Sequence, residues 1–183
     1  MSTTGDAQAR VVTDSESLWF LGTLVRIKLD GTQTAGRFAL FDIVVPRGAA
    51  PPLHSHPQDE TLYVAEGQLT AWLVDADEAA ADQADLPAWA KRHARQCGPG
   101  SVVFASAGTP HTFRVESDTA RAVVLSTPAG IEDYFRALAE PAQWPWLQPP
   151  ADRPRVPVER IESVERELGI VRQGPPPPPL PRS

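Results

Sequence analysis

The stretch that decides the fold runs from Gly48 to Gly67 and reads GAAPPLHSHPQDETLYVAEG. His54 and His56 stand two residues apart, so on an extended strand both imidazoles project to the same face. Glu60 follows after Pro57-Gln58-Asp59, where a short turn would return its carboxylate to the same spot. The chain has 4 histidines in all; His111 is a third candidate, which only the fold can deliver to the pair. Three neutral imidazoles and one carboxylate suit one borderline divalent ion: Fe, Ni, Mn, Cu, Co or Zn. An isolated pair of histidines two apart is weak grounds for a metal. The glycines around it, Gly48, Gly67, Gly100 and Gly108, strengthen the reading, because they fall where tight turns would exclude a Cβ.

Outward from this stretch the sequence reads as many short strands separated by turn residues. Leu18–Leu21, Leu24–Leu29, Phe38–Val45, Leu62–Ala65, Gln68–Val74, Arg92–Cys97, Ser101–Ala105, His111–Val115 and Ala120–Leu125 are the expected strands, with a turn at Asp30-Gly31. Their close, even spacing argues for an antiparallel sandwich or barrel. A helix is expected after Ser126-Thr127-Pro128, with Ile131, Tyr134, Phe135 and Leu138 on its apolar face. A second is expected from Pro157 to Leu168, ended by Gly169. The alanine- and acid-rich segment from Asp75 to Ala90 reads as a solvated helical excursion; the sharper alternative is a flap over a pocket mouth, with Trp89 as its apolar contact.

The 20 prolines concentrate after Pro141, in Trp144-Pro145-Trp146, Pro149-Pro150 and Pro175–Pro179. Proline neither donates to a strand ladder nor continues a helix. The expected organisation is therefore a barrel domain with its following helix over residues 1–140. Residues 141–183 would be a proline-rich extension with one short helix, outside the barrel and packed on it or partly loose. Pro175–Arg182 could serve as a polyproline-II ligand, although a loose tail is the plainer reading.

At 183 residues the chain has room for one domain with a real core. Its net charge of -6 and the absence of a basic stripe set nucleic acid aside as a partner. A polar N-terminus without an apolar run predicts neither a secretory signal nor a membrane span. Cys97, the one cysteine, suits a reducing cytoplasm and reads as a packing residue. His93, among Lys91, Arg92 and Arg95, reads as an exposed strand residue.

The pattern Gly48-(five)-His54-x-His56-(three)-Glu60-(six)-Gly67 resembles the first motif of the cupin superfamily without a gap. Gly100 onward resembles the second, with Gly108 and His111 in register. It departs at Ser106, where the pattern has proline, and at Val115, where it has asparagine. Leu18–Gly22 and Ser126–Gly130 are similar to segments of small, single-domain, quercetin 2,3-dioxygenase-like cupins. The resemblance implies an all-β double-stranded β-helix, or jelly-roll barrel, with two short C-terminal helices. It further implies a homodimer with one divalent transition metal per chain on His54, His56, Glu60 and His111. The activity implied is a dioxygenase that cleaves a flavonol or related enolisable aromatic and releases carbon monoxide. Glu60 would be both ligand and base; Phe41, Tyr63, Trp72, Phe104 and Phe113 are candidates to stack on the substrate, although ordinary barrel core is the plainer reading of each. A metal-dependent cyclase, isomerase or decarboxylase of a polyketide-type metabolite needs the same ligands. A sugar-phosphate isomerase would need basic residues such as Lys28, Arg37 and Arg47. A non-catalytic small-molecule-binding cupin is the remaining alternative.

Overall fold

The computed structural model describes residues 11–81, 85–142 and 156–180. Strands β1 (Glu16–Phe20) and β2 (Thr23–Leu29) form a hairpin. Asp30, expected in a turn, instead caps the single helical turn α1 (Gly31–Thr34): its side chain accepts from the Gln33 backbone N–H while the Gln33 side chain accepts from that of Asp30. β3 (Ala39–Pro46), β4 (Leu53–Ser55), β5 (Asp59–Glu66) and β6 (Leu69–Leu73) follow. Between β5 and β6, Gly67 sits at φ +83°, and a Cβ there would collide with the Thr119 carbonyl.

Helices α2 (Ala76–Ala81) and α3 (Leu86–His93) interrupt the strands, which resume as β7 (Arg95–Cys97), β8 (Val102–Ala105), β9 (His111–Val115) and β10 (Thr119–Thr127). Then come α4 (Glu132–Leu138), β11 (Glu140–Pro141), α5 (Val158–Leu168) and β12 (Val171–Gly174). The strands form two antiparallel sheets, ordered β11-β1-β2-β3-β10-β5-β8 and β12-β4-β9-β6-β7. Alternation along them places one apolar side chain in two inward: Leu62 and Val64 from β5, Ala120, Ala122 and Val124 from β10, Leu69 and Ala71 from β6. A second core lies outside the smaller sheet, where Trp72, Val74 and Leu53 pack with Ala79, Trp89 and Ala90 of α2 and α3.

Several expectations are corrected. Arg92 and His93 belong to α3, and the strand begins only at Arg95. His93 is partly buried, its ring 5.2 Å from that of Trp89. Trp89 is 5% exposed in the second core, so it anchors the helical excursion to the sheet and covers no pocket mouth. Ser126 and Thr127 start no helix; they complete β10, paired with Glu60 and Asp59, and α4 begins at Glu132. Local capping chemistry lost there to a long strand ladder.

The expectation that the last forty residues stay outside the barrel also fails. The proline-free run Val171–Gly174 adds an edge strand, with Val171 opposite Ser55 and Arg172 opposite His54. Pro175–Leu180 is neither a free ligand nor loose: Pro177 is fully buried, Arg114 donates to its carbonyl through Nε at 3.0 Å, and Leu180 packs on the second core. The expected features at Trp144–Trp146 and Pro149-Pro150 lie outside the described residues. Among the described residues, no helix is long and apolar enough to cross a membrane.

Candidate metal centre

The β4–β9 ladder brings the first histidines together, because His54 is the register partner of His111. His56 follows at the end of β4, and Glu60 projects from the start of β5. Ring centroids lie 4.6 Å apart for His54 and His111, 4.9 Å for His56 and His111, and 5.8 Å for His54 and His56. One nitrogen from each of the three lies within 4.8 Å of the others. These separations let the three converge on one first-row ion, whose bonds to nitrogen are about 2.0–2.1 Å. Glu60 closes the fourth side: its Oε2 is 3.6 Å from His56 Nε2 and its Oε1 3.7 Å from His111 Nε2.

Hydrogen bonding selects the tautomers. His54 Nδ1 lies 2.8 Å from the Pro52 carbonyl, and His111 Nδ1 lies 2.9 Å from that of Thr109. A carbonyl only accepts, so both Nδ1 atoms carry the proton and each Nε2 keeps a lone pair for the site. His111 Nε2 and both nitrogens of His56 are buried without a hydrogen-bond partner. Each such atom costs about 1–3 kcal/mol unless something binds it. A divalent cation is the species that three lone pairs and a carboxylate would take up, so the residues fit a metal.

Charge follows the same pattern. Burial pushes the His54 imidazole down to about 4, with His111 beside it adding to the effect, so at neutral pH it is uncharged. Burial alone would raise the Glu60 carboxyl; the surrounding imidazoles of His56, His111 and His54 outweigh it and hold it at about 2. Glu60 is therefore an anion across the physiological range.

The four side chains stand on the wall of a cavity of about 490 Å³. Of the aromatic residues expected around a substrate, Phe41 and Phe113 line it. Tyr63 and Phe104 do not: Tyr63 alternates with the inward Leu62 and Val64, and both rings stand exposed on the outer face of the larger sheet. Trp72 does not either, since it alternates with the inward Ala71 and its Nε1 donates to the Ala90 carbonyl beneath α3. Nothing in a strand pattern says which face is the inside of a barrel covered on both sides.

Sequence reasoning missed the cavity residues of the C-terminal half: Tyr134 and Phe135 from α4, and Glu165, Ile170 and Arg172 from α5 and β12. Tyr134 and Phe135 were expected as helix core, and helical spacing does place them on one face. No signal marked Glu165 or Arg172. Lys28, Arg37 and Arg47 are not on the cavity wall; they bond Ser15, the Thr34 carbonyl and Asp118.

No known protein-family model matches the chain. It is 29% identical over 119 residues to quercetin 2,3-dioxygenase of Bacillus subtilis (strain 168), a match over 64% of this chain and 30% of that protein. The chain thus spans under a third of the length of that curated relative. Among solved structures it is similar to ectoine synthase from P. lautus, with a TM-score of 0.52, 16% identity, and coverage of 80% of this chain and 95% of that one. It is likewise similar to an RmlC-like cupin from Shewanella frigidimarina NCIMB 400, with a TM-score of 0.50, 12% identity, and coverage of 69% and 96%. At these identities the structural likeness is one of fold: the double-stranded β-helix, with the two sheets described above as its walls. The chain thus has the double-stranded β-helix fold of the cupins, and over 119 residues its sequence is similar to that of a quercetin 2,3-dioxygenase.

Proposed function

We propose that the chain is a metal-dependent dioxygenase acting on a flavonol or related enolisable aromatic compound. The observation that carries this reading is the convergence of three lone-pair imidazoles and an ionised carboxylate on the wall of an apolar cavity of about 490 Å³. That volume is in the usual range for a small organic ligand. His54, His56, Glu60 and His111 would hold one divalent ion, whose bound form supplies Lewis acidity that lowers the pKa of a coordinated substrate oxygen. Phe41, Phe113 and Phe135 offer ring faces and edges to a planar substrate. Glu60, as an anion among imidazoles, is the acceptor nearest a hydroxyl presented at this end of the cavity. The apolar walls exclude water from a reactive enolate.

The reading includes a cytoplasmic homodimer. Val102 and Tyr63 are register partners, and with Phe104 they stand 60%, 45% and 56% exposed beside the open side of β8, the last strand of its sheet. A second copy against this edge would cover them. A sedimentation mass of one chain would remove the dimer from the reading.

Incubating metal-loaded protein with quercetin under air tests the activity. Dioxygen uptake with carbon monoxide release is the expected result. Conversion of an enolisable substrate without dioxygen uptake would replace the reading with a cyclase or isomerase. Failure to take up any divalent ion would overturn both.

A further inference from the structure

The cavity has a second polar place, and it is made entirely by the C-terminal elements. Tyr134 of α4 donates its hydroxyl to Glu165 Oε1 at 3.1 Å. Arg172 of β12 donates to the same carboxylate twice, from Nε to Oε2 at 2.8 Å and from Nη2 to Oε1 at 3.0 Å. All three residues are on the cavity wall, and the other side chains there are apolar apart from Thr23 and the four of the metal centre. Glu165 is 7% exposed, so its charge is buried and neutralised by Arg172. Burial, with Glu165 beside it, pushes the Tyr134 phenol well above its ordinary value, so the group stays protonated and donating.

A salt-bridged pair with a tyrosine attached carries no net charge to attract an anion. What it presents is one donor and one acceptor. Among the described residues, Arg172 Nη1 has no partner, and the Tyr134 oxygen, which donates to Glu165, keeps its lone pairs. A hydroxyl group both donates and accepts, and so satisfies both. We propose that Tyr134 and Arg172, braced by Glu165, form a hydroxyl-binding subsite for an otherwise apolar ligand, on the part of the cavity wall beside His54, whose register partner is Arg172, and separate from the four side chains of the metal centre. The proposal rests on the reading that this cavity admits a small molecule. It deepens that reading by naming the substrate class: aromatic compounds carrying a second hydroxyl besides the one presented to the metal centre.

Two probes test it on the full chain stripped of metal, so that the outcome is independent of metal loading and dioxygen chemistry. 4-Propylphenol and propylbenzene differ by the one hydroxyl, and their dissociation constants are read by ligand-observed NMR. Tyr134→Phe removes the acceptor. The double variant Glu165→Gln/Arg172→Met removes both partners of the ion pair together, which avoids leaving the buried Glu165 charge unpaired. The expected result is a shift in the ratio of the two constants by about tenfold against the phenol in both variants. Affinity for propylbenzene should stay within about twofold, which also reports an intact cavity. A ratio unchanged in both variants would overturn the proposal, as would a wild-type chain that binds propylbenzene and not the phenol. Loss of dioxygen uptake with the ratio shift intact would count against the proposed activity alone.

Discussion

His56→Leu should reverse its effect on stability according to whether metal is present. Both imidazole nitrogens of His56 are buried without a hydrogen bond, Glu60 Oε2 standing 3.6 Å from Nε2, and its side chain is 2% exposed. At about 1–3 kcal/mol for each orphaned polar atom, the metal-free wild type carries a penalty of several kcal/mol at this one residue. Leucine has a comparable volume and no polar atoms; allowing about 1.5 kcal/mol for imperfect packing, a net gain of about 1–3 kcal/mol is expected. In a chain of this length each kcal/mol moves Tm by about 2–4 °C, so metal-free His56→Leu should melt several degrees above metal-free wild type. With metal at a thousandfold excess over its dissociation constant, the wild type gains about 4.1 kcal/mol, or roughly 8–16 °C, and the variant should gain little. Thermal melts of both chains, in chelator and then in nickel, give four numbers that must change order. If the variant is less stable by the same amount in both conditions, the buried nitrogens are satisfied in some other way. If it keeps the full metal shift, His56 is no ligand.

Asp30 is bonded by Thr32 and Arg136; burial would raise its carboxyl, yet these partners hold it at about 2 against an ordinary 3.8. A depressed folded pKa stabilises above the unfolded pKa, so this contribution is complete above about pH 4 and is lost as pH falls toward 2. Asp30→Asn should cost about 1 kcal/mol at pH 7 after solvent screening and flatten acid denaturation in that window, measured by urea melts across pH. Gly67→Ala places a Cβ against the Thr119 carbonyl at φ +83°, and should cost at least about 2 kcal/mol, read by urea melts at pH 7. Trp89→Ala empties the second core and should cost about 3 kcal/mol while leaving cavity ligands bound as before; weakened binding at unchanged fold would restore the flap reading.

What the sequence disclosed depended on how locally each feature is encoded. The His54-x-His56 spacing is a strand property, and its two-residue period puts the pair on one face in any fold. His111 was placed by motif alone; the physical reason, its register opposite His54, exists only in the assembled sheet. The strand list survived because alternation is local, and it failed at Arg92 because a helix ending in cations at its C-terminus is equally local there. Faces were harder. Tyr63, Trp72 and Phe104 have the composition of a pocket and the parity of the outside: α2 and α3 bury Trp72 on an outer face that alternation reads as an inner one, and Tyr63 and Phe104 stand exposed on the other sheet. Glu165 and Arg172 were invisible for a different reason: each is an ordinary charged residue, and only their pairing across a helix and a strand makes them one feature.

The C-terminal segment ties these points together. β4 is three residues long and meets β9 at the single register pair His54–His111. A strand so short gains little from its own ladder on that side. Its other edge is held by β12, through the partners Val171–Ser55 and Arg172–His54, and by the Gln173 side chain, which donates to Ser55 Oγ at 2.9 Å. Gly169, which ends α5 at φ +71°, is packed against Pro57, the residue after His56. The segment therefore pairs beside His54 and packs against the residue after His56, while its Arg172 and Glu165 line the cavity. Deleting it would remove the second polar place and unpair the strand that carries His54. The segment whose composition argued most strongly against a place in the barrel is the one that braces the strand carrying His54.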